Sequence, residues 1–140
     1  MYSSLVVLPP SLLPRRIRKE QGLTVVVVGS RELRSQRIVW QALDRAHRHK
    51  SIAVLVHGGT PGAEELAAEW AYSKGIRVIA CPADWARDQE TAALKRHKRM
   101  IEEFDPDGVI IFSGAVFGDD LAARAGAARI PVWMPSSRIG

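Results

Sequence analysis

An α/β fold, with a five-stranded parallel sheet between two helical layers, is predicted by three features of this sequence. From residue 23 onward, short runs rich in Val and Ile alternate with apolar stripes at helical spacing. The strand-like runs are almost continuously apolar, as befits strands covered on both faces. The chain has 140 residues, 46% hydrophobic and 25% charged, enough for one sizeable core and too little for a second.

Residues 1–22 read as an irregular N-terminal arm, because Pro9, Pro10 and Pro14 interrupt any periodicity and Arg15, Arg16, Arg18 and Lys19 follow. The domain occupies residues 23–140. Its strands are expected at 24–28, 52–56, 77–81, 109–112 and 132–134. Between them, Ile38, Val39, Ala42, Leu43 and Ala46 form one helical stripe, and Ala63, Leu66, Ala67, Trp70 and Ala71 a second. Ala93, His97, Met100, Ile101 and Phe104 form a third; Leu121, Ala122, Ala125 and Ala128 form a fourth that stops before Pro131. Since crossovers between parallel strands are right-handed, the economical arrangement is an open, Rossmann-like three-layer sandwich.

Twenty Lys and Arg against fifteen Asp and Glu give a formal charge of +5. Residues 1–22 carry +3 of it, so the domain itself is nearly balanced. A nucleic-acid partner would rest on charge alone, for no nucleic-acid-binding signature is present. Cys81 is the single cysteine, which rules out an internal disulfide and a Cys-rich zinc site and suits a reducing cytoplasm; no metal and no cofactor are expected. The apolar runs fall far short of the ~20 residues that cross a bilayer. In the arm the apolar patch precedes the arginines, the reverse of a secretory signal.

In open parallel sheets, ligands bind beyond the carboxyl ends of the strands. Four strands here end in glycine, small hydroxyl or charged residues: Gly29, Ser30 and Arg31; His57, Gly58 and Gly59; Asp84 and Trp85; Ser113 and Gly114. The second is the most informative, since His57-Gly58-Gly59-Thr60-Pro61-Gly62 leads from an apolar strand into a helix near Ala63. Glycine permits close backbone approach, and a helix N-terminus offers free N–H groups to an anion, with phosphate the natural guest. The alternative is a tight turn in which glycine serves geometry alone. The spacing matches neither the dinucleotide-binding G-x-G-x-x-G nor the P-loop.

Arg31 is expected at a helix start, where its guanidinium either clamps a phosphate or carboxylate or is simply solvated. His57 is a hydrogen-bonding residue at a strand end, satisfied by ligand or by local backbone. Asp84 either faces a ribose hydroxyl or caps the next helix; Trp85 either stacks on a base or anchors packing. Lys95, Arg96, Lys98 and Arg99 read as a solvated face with Glu102 and Glu103 as partners, with Arg96 retained as a ligand candidate.

The blocks Gly29-Ser30-Arg31, His57-Gly58-Gly59-x-x-Gly62-Ala63, Pro82-Ala83-Asp84-Trp85 and Arg96-x-x-x-Met100 together resemble the YspA group of YpsA-related SLOG proteins. The resemblance implies a Rossmann-like domain that senses or processes a nucleotide or nucleotide-derived small molecule, and self-association into a homo-oligomer. More remotely the chain is similar to LOG-type phosphoribohydrolases and to DprA. Glu64 stands where the family usually has aspartate, and His97 where it usually has asparagine. Residues 113–119 replace a glycine-rich phosphate loop, and Asp119 and Asp120 there would repel a phosphate.

The first functional expectation is therefore a binding module with Gly29, Ser30, Arg31, His57, Gly58, Gly59, Gly62, Asp84, Trp85, Arg96, Ser113 and Gly114 around the ligand. The alternative is a structural, oligomeric protein on the same scaffold, its arm lying on a neighbouring subunit. An N-glycosidic or phosphoester hydrolase would draw its carboxylate from Asp84, Asp119 or Asp120.

Overall fold

A computed structural model describes residues 22–135. The predicted arm and its subunit contact fall outside the described residues, apart from Gly22. In chain order the elements are β1 (Leu23–Val28), α1 (Gln36–His49), β2 (Ile52–His57), α2 (Ala63–Ser73), β3 (Arg77–Ala80), α3 (Trp85–Asp88), α4 (Ala92–Glu102), β4 (Gly108–Ile111), α5 (Gly118–Ala127) and β5 (Val132–Trp133). A single 3-10 turn, Gln89–Thr91, links α3 to α4. All five strands pair in parallel in the order β3-β2-β1-β4-β5. The expected fold class is thus observed, with strand ends moved by a residue and with α3 as an added short helix.

Alternation along the strands divides the core into two layers. Val25 and Val27 of β1 join Leu43 of α1, Trp70 of α2 and Phe112 on one face. Val26 and Val28 join Met100 of α4 and Leu121 of α5 on the other. The indoles lock the first layer: Trp40 Nε1 donates to the Leu66 carbonyl at 3.0 Å, and Trp70 Nε1 to Asp44 Oδ1 at 2.8 Å. α1 starts at Ser35, whose hydroxyl accepts from the Ile38 N–H at 3.2 Å, and ends on His47, Arg48 and His49, which suit the negative end of its dipole.

The strand order places a topological switch between β1 and β4, because the chain runs outward through β2 and β3 before crossing to the other side. The loops after β1, β2 and β4 meet at the carboxyl end of that switch.

Candidate site at the carboxyl edge of the sheet

Close packing dictates the first glycine. A Cβ at Gly29 would lie 2.6 Å from the Ala63 Cβ and 2.9 Å from the Phe112 Cβ. Ser30 then ties the loop together: its carbonyl accepts from Ala63 N–H at 3.0 Å, and its hydroxyl accepts from Glu32 N–H at 3.0 Å and donates to the Glu32 carboxylate at 3.0 Å. Arg31 is exposed and does not sit at a helix start, as the sequence suggested; Arg31 and Glu32 form a turn and α1 begins only at Gln36. The loop between is held by Ser30 bonds and by the Ser35 cap, features that carry no apolar periodicity.

The glycine loop after β2 is closed on an internal anion. Gly58 N–H donates to Glu64 Oε1 at 2.6 Å, and Gly29 N–H makes a longer bond to Oε2 at 3.4 Å. Gly59 N–H donates to His57 Nδ1 at 2.9 Å. In this structure the carboxylate of Glu64, in the first turn of α2 and 2% exposed, accepts from the Gly58 and Gly29 amides. A carboxylate at a helix N-terminus is stabilised there by the free N–H groups and the dipole. Gly62, at φ 84°, brings the turn against the Ser30 and Arg31 carbonyls, leaving no room for a Cβ. His57 is satisfied locally, and burial lowers its pKa although Glu64 pulls the other way.

The buried cation of the site lies on α4. Arg96 is 4% exposed, and a Cβ at Gly58 would strike its Nη1 at 2.7 Å, so Gly58 is the residue that admits the guanidinium. Its Nη2 bonds to His97 Nε2 at 3.2 Å. No carboxylate among the described residues comes within salt-bridge distance of it, and its Nε has no hydrogen-bond partner there. Thr60 Oγ1 is likewise buried and unpartnered. Arg96 and Thr60 line one small enclosed cavity of about 60 Å³ with Gly29, Glu64, Arg31 and Trp85. Trp85 is 55% exposed.

The other expected residues lie apart. Asp84 caps α3, its Oδ1 accepting from Arg87 N–H at 3.0 Å. Ser113, Gly114, Asp119 and Asp120 line a separate cleft of about 450 Å³ with Phe117 and Met134. Gly114, at φ 79°, lets the β4 loop approach Ser30, where a Cβ would come within 2.8 Å of the serine Cβ. Asp120 pairs with His97 Nδ1 at 3.0 Å and with Arg124 Nε at 2.8 Å. Burial by itself would raise its pKa, but the bonds from Arg124 and His97 hold it below the ordinary value. Arg99 does not pair along its helix with Glu103; it donates to the Pro82 carbonyl at 2.6 Å. Cys81 is buried, which pushes its thiol pKa up despite Arg99 nearby, so it is no ready nucleophile.

Sequence reasoning left out Glu64, Thr60 and His97 as site residues. The signals were slight: an acid one residue into the helix after the glycine loop, a hydroxyl within that loop, and a histidine on an apolar stripe. Among the described residues no group of His, Cys, Asp or Glu is arranged to hold a metal ion, and no helix is long and apolar enough to cross a membrane.

Comparisons with known proteins agree with this architecture. Residues 23–87 match the family model described as YspA, cpYpsA-related SLOG family. The chain is 35% identical over 83 residues to the Gene 61 protein of Mycobacterium phage D29, an alignment covering 55% of this chain and 66% of that protein. No solved structure gives a significant match. The family match takes in β1, the glycine loop, Glu64, Asp84 and Trp85, and over these residues the chain is similar to the YspA, cpYpsA-related SLOG family.

Proposed function

We propose that this protein binds a nucleotide or a nucleotide-derived small molecule at the carboxyl edge of the sheet, with a phosphate directed at Arg96 and Thr60. One observation carries the reading: Arg96 is almost fully buried with no carboxylate partner among the described residues, its Nε has no hydrogen-bond partner there, and the residue lines a cavity. Burying an unpaired ion costs several kcal/mol even after relaxation, and a bound anion offsets that cost. Glu64 accepts from the glycine amides and stays outside salt-bridge distance of the guanidinium, which leaves Arg96 able to take an external anion. Arg31 at the rim adds a second cation, and the exposed Trp85 indole offers a face for a base.

The similarity of residues 23–87 to SLOG proteins, for which the resemblance implies a nucleotide-related ligand, supports the same class of guest. Hydrolysis is not part of the proposal, since Asp84 is engaged as a helix cap and Asp120 with His97 and Arg124. The test is calorimetric titration of the full chain with adenosine and with adenosine 5′-monophosphate. The monophosphate is expected to bind at least about tenfold more tightly, a difference of about 1.4 kcal/mol. Equal affinity for the two, or binding of neither across a panel of common nucleotides, would refute it.

A further inference from the structure

His97 is 0% exposed, yet both of its ring nitrogens have polar partners. Nε2 faces Arg96 Nη2 at 3.2 Å, and Nδ1 faces Asp120 Oδ2 at 3.0 Å. A guanidinium can only donate, so Nε2 must accept and the single ring proton must sit on Nδ1, donated to Asp120. Asp120 is anchored in turn by Arg124 Nε at 2.8 Å, one helical turn further along α5. Arg124, Asp120, His97 and Arg96 therefore form a continuous row from the flank of α5 to the cavity between β1 and α4.

We infer that His97 is the positioning residue of the anion site: as the neutral Nδ1–H tautomer it holds Arg96 Nη2 and so keeps the guanidinium turned into the cavity, and its protonation loosens that hold. The inference rests on the anion-binding reading above. Protonation would place an N–H at Nε2, so that two donors and two positive charges faced each other at 3.2 Å. The charged groups around the ring are Arg96 on its own helix and Asp120 and Arg124 on α5. Burial lowers the His97 pKa, Asp120 opposes that by its hydrogen bond, and Arg96 reinforces it; the net direction is downward, so the ring is neutral at pH 7.

The experiment uses the full chain and two variants, His97→Gln, which keeps an acceptor that cannot titrate, and His97→Phe, which fills the space without one. Sulfate is the probe, because its charge is constant over the range. Wild-type affinity is expected to fall more than about twofold from pH 7.5 to the lowest pH at which the chain stays folded, His97→Gln to stay within about twofold, and His97→Phe to bind weakly at both. Circular dichroism at each pH confirms that the chain remains folded. Parallel wild-type and His97→Gln profiles would overturn the inference, because His57 titrates in both. So would nitrogen-15 spectra placing the His97 proton on Nε2 in the ligand-free chain. Absence of sulfate binding by every protein, with the Nδ1–H tautomer still observed, would instead overturn the anion site itself and leave only the His97–Arg96 contact.

Discussion

After β2 the chain turns through Gly58 and Gly62 and enters α2 with Glu64 folded back onto the glycine amides. After β4 it turns through Gly114 and Phe117 and enters α5 with Asp120 directed at another helix, toward His97. Both loops flank β1 at the same edge, and both helices begin with acidic residues in their first turn. In the first, positive φ falls on glycine and the acid is buried. In the second, Phe117 takes φ 54° with half its side chain exposed, and Val116 beside it is exposed as well. A non-glycine residue in that region costs on the order of 1–3 kcal/mol. The β2 loop is thus fitted to its own carboxylate and to Arg96, while the β4 loop accepts strain and presents an apolar lip. The difference locates the unpaired charge: both acids are already engaged, and Arg96, buried between them, has no ion-pair partner among the described residues.

The largest effect should come from Gly62→Ala. A Cβ there meets two backbone carbonyls at a φ of 84°, so a loss on the order of 3 kcal/mol is expected in urea unfolding. A change within about 0.5 kcal/mol, the range of an ordinary surface substitution, would mean that the β2 loop is no more tightly fitted than the β4 loop.

Acid should act next. His57 and His97 both have pKa values lowered by burial, so the unfolded chain takes up their protons first. Their contribution to stability is complete above the ordinary value of 6.5 and is lost as pH falls through the lowered folded values. Asp88 behaves differently: hydrogen bonds from Arg87 and Lys95 hold it at about 2, so its contribution persists until pH falls from 3.8 toward that value. Urea midpoints should therefore decline between pH 7 and pH 5, and less so in His97→Gln. A flat profile over that interval would show that neither histidine is held neutral by the fold.

The smallest effect is expected at the β4 loop, with the opposite sign. Phe117→Gly relieves the positive φ and removes an exposed side chain, giving a gain of about 0.5–1 kcal/mol in thermal melts. A loss of comparable size would show that Phe117 packs against something its exposure does not reveal.

The contrast between the loops was only half legible in the sequence. The five strands and four helical stripes were readable because hydrophobic periodicity is local, and the glycines at 58, 59 and 62 announced a tight turn. Arg96 sits among four cations in five residues, a pattern that reads as a solvated face. Its burial follows from the stripe of Ala93, Arg96, His97 and Met100, whose inward direction is decided by the sheet. The pair His97 and Asp120 spans 23 positions and two helices, and such contacts leave no local spacing to detect. Arg31 was misplaced for a related reason, since the turn that separates it from α1 is built from serine hydrogen bonds.

The central claim is that Arg96 is a buried cation awaiting an external anion. Its most direct measurement compares the full chain with Arg96→Met by thermal melting and by titration with adenosine 5′-monophosphate. An apolar side chain of similar size removes an unpaired buried charge, so the variant should melt no lower than the wild type, while its affinity for the monophosphate falls at least about tenfold, or about 1.4 kcal/mol. A variant that melts well below the wild type and binds the monophosphate equally well would contradict the account, making Arg96 a structural residue and leaving the cavity without its guest.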